Sequence, residues 1–147
     1  MGCLIVTLDT NIFIEVKNKE PDHEFSKRIL DRIDSGALRC VVPTVLLAEV
    51  CAGYHAAGEL NEKDDFLTHI FSSQNYDVME LSAGLADEAG RIRAVTELRL
   101  PDAIIIASAL KGRAERLISN DLALKKAMGL IKVVTAREFV EEQPGER

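Results

Sequence analysis

The sequence predicts an α/β fold with a mainly parallel central sheet flanked by helices, and three observations predict it. Short apolar runs rich in β-branched residues recur at 3–8, 38–42, 78–81, 117–119 and 131–134. Helical patterns with recognisable ends separate them. The chain has 147 residues, which suits one domain with its own core and is short for two. Alternation of this kind is the signature of an α/β sandwich, and such sheets take their ligands at the carboxyl ends of the strands.

The elements follow in order. Run 3–8 is apolar without alternation, as a strand buried on both faces must be. Pro21-Asp22 opens a helix that Gly36 closes, and Thr44 starts another that runs towards Gly53 or Gly58. Asn61 is placed to cap a third helix, with Asp64 three residues on. Ser82 is placed to cap a fourth, whose stripe is Ala86, Ala89, Ile92 and Val95. Pro101 falls in the first turn of the next helix and Gly112 past its end. Thr135 and Glu138 make a capping box after the last strand. The domain is expected over residues 1–140, with 141–147 as a flexible polar tail carrying Pro144-Gly145.

Hydrophobic residues are 47% of the chain and charged residues 29%, which excludes disorder for all but the ends. No apolar run approaches the roughly 18 residues of a membrane helix. Asp9 interrupts the apolar start and no basic segment precedes it, so a signal peptide is not expected. Met1-Gly2-Cys3 suggests acylation, but Val6 stands where that pattern needs Ser or Thr. The expectation is a cytoplasmic protein. Cys3, Cys40 and Cys51 match no zinc spacing and read as reduced core thiols. The net charge of −6 argues against broad adhesion to nucleic acid, while leaving room for an acidic pocket with a local basic rim.

Of 24 acidic residues, most stand where solvent is expected. Three do not. Asp9 ends the first apolar run, Glu49 lies within an apolar helix, and Asp102 precedes the run Ala103-Ile-Ile-Ile-Ala107. A lone ionised carboxylate in apolar surroundings costs several kcal/mol (roughly 3–5) unless it is paired or bound to a cation. Helix capping or the helix dipole accounts equally well for Asp9 and Asp102. Glu49, in mid-helix, has neither explanation. Asp121 follows the run 117–119 and is either a fourth member of the group or a cap for the segment after it. Several carboxylates in one cleft repel unless a cation joins them, and an all-oxygen set selects Mg²⁺ or Mn²⁺ over zinc. His23, His55 and His69 lie in polar helical contexts and are expected at the surface.

Four segments carry a resemblance: Leu8-Asp-Thr-Asn-Ile-Phe-Ile14, Pro43-Thr-Val-Leu-Leu-Ala-Glu49, Leu100-Pro-Asp-Ala-Ile-Ile-Ile-Ala-Ser-Ala109 and Leu117-Ile-Ser-Asn-Asp121. The closing Val133-Val-Thr-Ala-Arg-Glu-Phe139 adds a final strand and helix. In this order and spacing they resemble the PIN domain, and within it the VapC-type toxins of toxin–antitoxin pairs. The resemblance implies a three-layer PIN-like sandwich and an endoribonuclease. It implies that Asp9, Glu49, Asp102 and Asp121 are catalytic and bind one or two Mg²⁺ or Mn²⁺ ions, with Asp9 central. It places Thr10, Asn11 and Ser119 close to the metal or phosphate, where turn and cap chemistry is an equal account of Thr10 and Asn11. It further implies an RNA substrate, a homodimer and a small antitoxin whose tail enters the acidic site. Many relatives carry another acid two positions after the last Asp. Here that position is Ala123, which leaves the second ion open.

The chemistry agrees. Metal-assisted attack of water yields 5′-phosphate and 3′-hydroxyl ends, whereas a metal-free route through the 2′-hydroxyl needs an acid–base pair that this chain does not display. Arg91, Arg93, Arg99, Lys111 and Arg113 flank the Asp102 segment and are candidates for a basic rim, against ordinary exposed helix charge. Aspartate-based phosphatases need an acid two residues after the first Asp, where Asn11 stands. A receiver domain needs an acidic pair and a late Lys that are not evident. The remaining alternatives are a solitary RNA-processing PIN nuclease and a PIN-like interaction module without catalysis.

Overall fold

Five strands form one sheet in the computed structural model, which describes residues 3–145. They are β1 (Leu4–Leu8), β2 (Leu38–Pro43), β3 (Tyr76–Met79), β4 (Arg116–Ile118) and β5 (Val133–Val134), in the order β3-β2-β1-β4-β5. Every pairing is parallel. The chain winds outwards from β1 to β3, then returns to add β4 and β5 on the other side. The strand order therefore reverses between β1 and β4, where an open α/β sheet leaves a crevice at its carboxyl edge.

Helices α1 (Thr10–Lys17), α2 (His23–Asp34), α3 (Thr44–Ala57), α4 (Leu60–Ser72) and α7 (Ala136–Glu142) cover one face. Their core includes Ile12, Ile29, Leu46, Ile70 and Phe139, packed on Val6, Leu8, Val42 and Ile118 of the sheet. Helices α5 (Ala83–Thr96) and α6 (Leu100–Lys111) cover the other, where Leu85, Ile92, Ile105 and Ile106 meet Leu117 and Val133. Adjacent residues of β4 serve opposite cores, Leu117 one and Ile118 the other. This is why the strands read as unbroken apolar runs. The three-layer sandwich is thus observed. Among the described residues, no helix is long and apolar enough to cross a membrane.

Several boundaries differ from expectation. Strand β3 starts at Tyr76, not at 78, because Cys40 pairs with Tyr76 and the buried Tyr76 ring belongs to the core. Leu81 is left exposed beyond it. Helix α3 runs through Gly53 and ends at Gly58, whose φ of 70° is the left-handed cap that glycine accepts without strain. The turn is so tight that α4 begins at Leu60, leaving Asn61 inside the helix instead of capping it. In α5 the buried stripe is Leu85, Ala89 and Ile92, while Ala86 and Val95 face solvent. Only Cys40 is a buried thiol, and its burial pushes its pKa up to about 12; Cys51 is half-buried and Cys3 exposed.

Other caps stand as expected. Ser82 accepts from Leu85 N–H, and Thr135 and Glu138 form the capping box. Gly112 ends α6 where a Cβ would come within 2.5 Å of Val41, so the helix end can approach β2 only as glycine. Glu141 and Glu142 belong to α7, and the Arg32 guanidinium donates to the carbonyls of Gln143 and Pro144. Residues 146 and 147 of the expected tail, and Met1-Gly2 of the acylation pattern, lie outside the described residues.

Candidate active site

Asp9 leaves β1 at the crevice between β1 and β4, with its N–H donating to Ile118 O of the neighbouring strand at 2.9 Å. Only 6% exposed, its carboxylate accepts from three groups. Thr10 N–H donates to Oδ1 at 2.8 Å, while Ser119 Oγ and Asn11 Nδ2 donate to Oδ2 at 2.8 and 3.0 Å. Asp9 therefore caps α1 and also faces the cavity. Burial is the largest influence on it and pushes its pKa up to about 6. The Ser119 and Thr10 hydrogen bonds oppose that shift, and the fields of Asp102 and Glu49 add to it.

The other carboxylates arrive from three separate elements. Glu49, half-buried on α3, accepts a 2.8 Å hydrogen bond from Thr10 Oγ1. Asp102 stands in the first turn of α6, where the helix dipole favours a negative charge, and is 5% exposed. Its partner is Arg99, at 3.3 Å from Oδ2 and 3.5 Å from Oδ1. Asp121 lies beyond β4, exposed, and accepts from Ala123 N–H at 3.0 Å as the cap of the 3-10 helix Leu122–Ala127. Ser119 joins the two strand ends. Its hydroxyl donates to Asp9 and accepts from Asp121 N–H at 3.0 Å.

The resulting cavity has a volume of about 250 Å³ and is bordered by Asp9, Thr10, Asn11, Glu49, Arg99 and Asp121, with Glu15 and Glu20 at its edge. Asp102 does not line it directly but acts electrostatically on Asp9 and holds Arg99 over the opening. Asp102 first, then Glu49 and Asp9, hold the Arg99 guanidinium above its ordinary pKa. One field connects the three acids and this cation.

The donor chemistry fits a hard divalent ion. The cavity's acidic residues offer oxygen donors alone, and the charged neighbours that act on the buried Asp9 are the carboxylates Asp102 and Glu49. Among the described residues, no three His, Cys, Asp or Glu side chains are close enough as they stand to hold an ion. Each acid is committed to a protein donor: Asp9 to Ser119 and Thr10, Glu49 to Thr10, Asp102 to Arg99, Asp121 to Ala123. Glu49 and Asp121 are not buried, so their side chains have room to turn towards an ion beside Asp9.

All seven expected positions thus gather at one edge of the sheet. Sequence reasoning missed Glu15, Glu20 and Asn120. Glu15 accepts from Asn120 Nδ2 at 2.6 Å, and Asn120 Oδ1 accepts from Ala136 N–H, tying α1 to the loop after β4 and to α7. Glu15 on α1 reads as part of a solvated helix face, and Glu20 and Asn120 as ordinary polar loop residues. Of the five candidate rim cations only Arg99 borders the cavity. Arg91 pairs with Glu88, and Arg93 donates to Leu98 O, closing the α5–α6 turn. Among the described residues, no histidine borders the cavity; His69 pairs with Asp34, and His23 contacts the carbonyl of Glu20 at its edge.

Known proteins share this fold. A toxin–antitoxin complex from Klebsiella pneumoniae aligns with a TM-score of 0.68 at 24% identity, over 89% of this chain and 97% of that one. VapBC2 from Rickettsia felis, solved with a DNA fragment from its promoter, gives 0.67 at 21%, over 89% and 98%. VapC20 from Mycobacterium tuberculosis, described as a sarcin–ricin loop cleaving toxin, gives 0.68 at 17%, over 83% and 94%. No curated protein is a significant match by sequence. At these identities the structures speak for the fold alone. The sequence speaks for the family: residues 6–130 match the PIN domain, and with four acids at the carboxyl edge of its parallel sheet the chain belongs to the PIN-domain family.

Proposed function

We propose that this chain is a metal-dependent endoribonuclease and the toxin of a toxin–antitoxin pair. PIN domains are generally nucleases, and the observation that carries the reading here is Asp9. A carboxylate this buried, raised to about 6 and facing Glu49 and Asp102, is an unfavourable place for negative charge unless a cation completes it. Asp9, Glu49, Asp102 and Asp121 would hold Mg²⁺ or Mn²⁺, one ion with the second left open. Such an ion supplies a lowered water pKa and positive charge against the phosphate oxygens.

The chain's own residues do the rest. Ser119 and Thr10 N–H fix both oxygens of Asp9, so that its orientation is set before substrate arrives. Thr10 Oγ1 aims Glu49 into the same cavity. Asn11, between Asp9 and Ser119, keeps an amide at the opening that suits a phosphate or ribose oxygen. Cleavage leaves a 5′-phosphate and a 3′-hydroxyl. A small antitoxin covering the acidic cavity belongs to the proposal, supported by the fold shared with toxin–antitoxin complexes, and a homodimer and a cytoplasmic location complete it.

The test is incubation of purified protein with structured RNA and Mn²⁺, with and without EDTA, beside Asp9→Asn and Asp102→Asn. Mn²⁺-dependent cutting lost in both variants is expected. Cutting that survives chelation or either substitution sinks the metal mechanism. Expression that leaves growth untouched, with no small protein co-purifying, removes the toxin assignment and leaves a solitary RNA-processing nuclease.

A further inference from the structure

We propose that Arg99 is the resident cation of the acidic cavity, neutralising Asp102 while no divalent ion is bound and turning to a substrate phosphate when one is. This rests on the proposed function. Three features of the structure favour it.

The first is where Arg99 is anchored. Its backbone is extended at the N-cap of α6, with φ −60° and ψ 150°. Its carbonyl accepts from Ala103 N–H at 3.0 Å, and Pro101 stiffens the turn between. The Cα is therefore fixed, while the side chain is 73% exposed and free to swing.

The second is the quality of the ion pair. The two contacts to Asp102, at 3.3 and 3.5 Å, are longer than a well-made bidentate arginine–carboxylate pair, for which about 2.7–2.9 Å is usual. Asp102 is buried and needs a cation; Arg99 is exposed and loses little by leaving. A divalent ion offers Asp102 a stronger partner, and its charge repels the guanidinium from the same carboxylate.

The third is that, among the described residues, a single cation borders the cavity. Arg99 is the one cationic side chain among the residues that border the cavity, on a protein whose net charge is −6. Lys17 is held by Glu59 at 2.8 Å, and Arg93 by Leu98 O at 2.6 Å. A phosphodiester entering the cavity meets five acids, Asp9, Glu15, Glu20, Glu49 and Asp121, and Arg99 is the group there that carries positive charge. A guanidinium released from Asp102 keeps its planar fork of donors, which matches two phosphate oxygens.

The same residue thus opposes ion binding and favours RNA binding, and one substitution should move the two affinities in opposite directions. The experiment compares wild type, Arg99→Gln and Arg99→Lys. Mn²⁺ affinity is measured calorimetrically on RNA-free protein, and affinity for a stem–loop RNA oligonucleotide is measured across a salt series with Ca²⁺ replacing Mn²⁺ to suppress turnover. Arg99→Gln is expected to bind Mn²⁺ about three- to tenfold more tightly, an exposed cation being partly screened. It should bind RNA about tenfold more weakly, with the salt slope reduced by roughly 0.7 to 0.9, the loss of one phosphate contact. Arg99→Lys should hold Mn²⁺ affinity near wild type and recover part of the RNA affinity. Unchanged or weaker Mn²⁺ binding by Arg99→Gln overturns the proposal, as does unchanged RNA affinity, while wild type still binding Mn²⁺ leaves the nuclease reading standing. Wild type that binds no Mn²⁺ overturns both.

Discussion

Asp9 and Asp121 leave neighbouring parallel strands at the same edge of the sheet, and both cap the helical segment that follows, yet their surroundings are opposite. Asp9 is buried, fixed by Ser119, Thr10 and Asn11, and raised to about 6. Asp121 is exposed, and its carboxylate accepts from the Ala123 N–H. The acidic cavity thus has a rigid side built on β1 and a movable side made by the exposed side chains of Asp121 and Arg99. A site of this kind presets one ligand and lets the others follow the ion and the substrate.

The comparison is broken most severely at Asp9. Asp9→Asn should lower Mn²⁺-dependent RNA cleavage by about 10³-fold, the scale of losing a central charge-stabilising group. Mn²⁺ should raise the thermal midpoint of wild type and leave that of the variant unmoved, because binding to the folded state alone stabilises it. A variant that still gains stability from Mn²⁺ would show that the rigid side is not where the ion sits.

Ser119 is what makes that side rigid. Removing its hydroxyl in Ser119→Ala leaves Asp9 Oδ2 with the Asn11 amide alone and takes an acceptor from Asp121 N–H. Metal affinity should fall roughly 10- to 100-fold, as when a group orienting a ligand is lost. Stability should fall by about 1–3 kcal/mol for the buried groups left unpaired. Calorimetric Mn²⁺ titration and urea melts read the two effects separately.

The Asp9 charge should also show itself without metal. Its folded pKa lies above the ordinary 3.8, so the folded protein keeps a proton that the unfolded chain has already released. The stability contributed by this group is therefore fully present at low pH and is lost as pH rises through about 6. Between pH 5 and 7.5 the loss from this group is on the order of 1 kcal/mol. Urea melts in EDTA should show it as a wild-type slope that Asp9→Asn lacks, and saturating Mn²⁺ should abolish the slope. Equal slopes in the two proteins would mean that Asp9 is not a buried charge.

The rigid side was the more legible one in the sequence. Asp9 terminates an apolar run, and an acid at the end of a buried parallel strand has few places to be other than the sheet's carboxyl edge. Capping and ligation were competing readings of Asp9 and Asp121, and the structure shows the cap in both without closing the cavity to either. For Glu49 local sequence offered no partner, since Thr10 lies 39 residues away and meets it only through the packing of α1 on α3. Arg99 was one of five equivalent cations until the α5–α6 turn set its neighbours Arg91 and Arg93 elsewhere. Glu15 and Glu20 were illegible, because a charge on a helix face or in a polar loop looks alike whether it meets bulk water or a cleft. The α5 stripe was misread by one position, since Ala86 and Val95 match the helical period as well as Leu85 does.

The smallest expected effect falls on the movable side and separates its two roles. Asn caps a helix about as well as Asp, so Asp121→Asn should keep the hydrogen bond to Ala123 N–H and change stability by no more than about 0.5 kcal/mol. It removes the charge, however, and with it one oxygen ligand of full strength. If Asp121 joins the ion, Mn²⁺ affinity should fall by less than about tenfold, well short of Ser119→Ala, because an exposed acid is screened and contributes less than a buried one. Unchanged Mn²⁺ affinity with unchanged stability would reduce Asp121 to a helix cap. A loss as large as that from Asp9→Asn would instead show that the movable side closes fully on the ion, and that the difference between the two acids belongs to the ion-free protein alone.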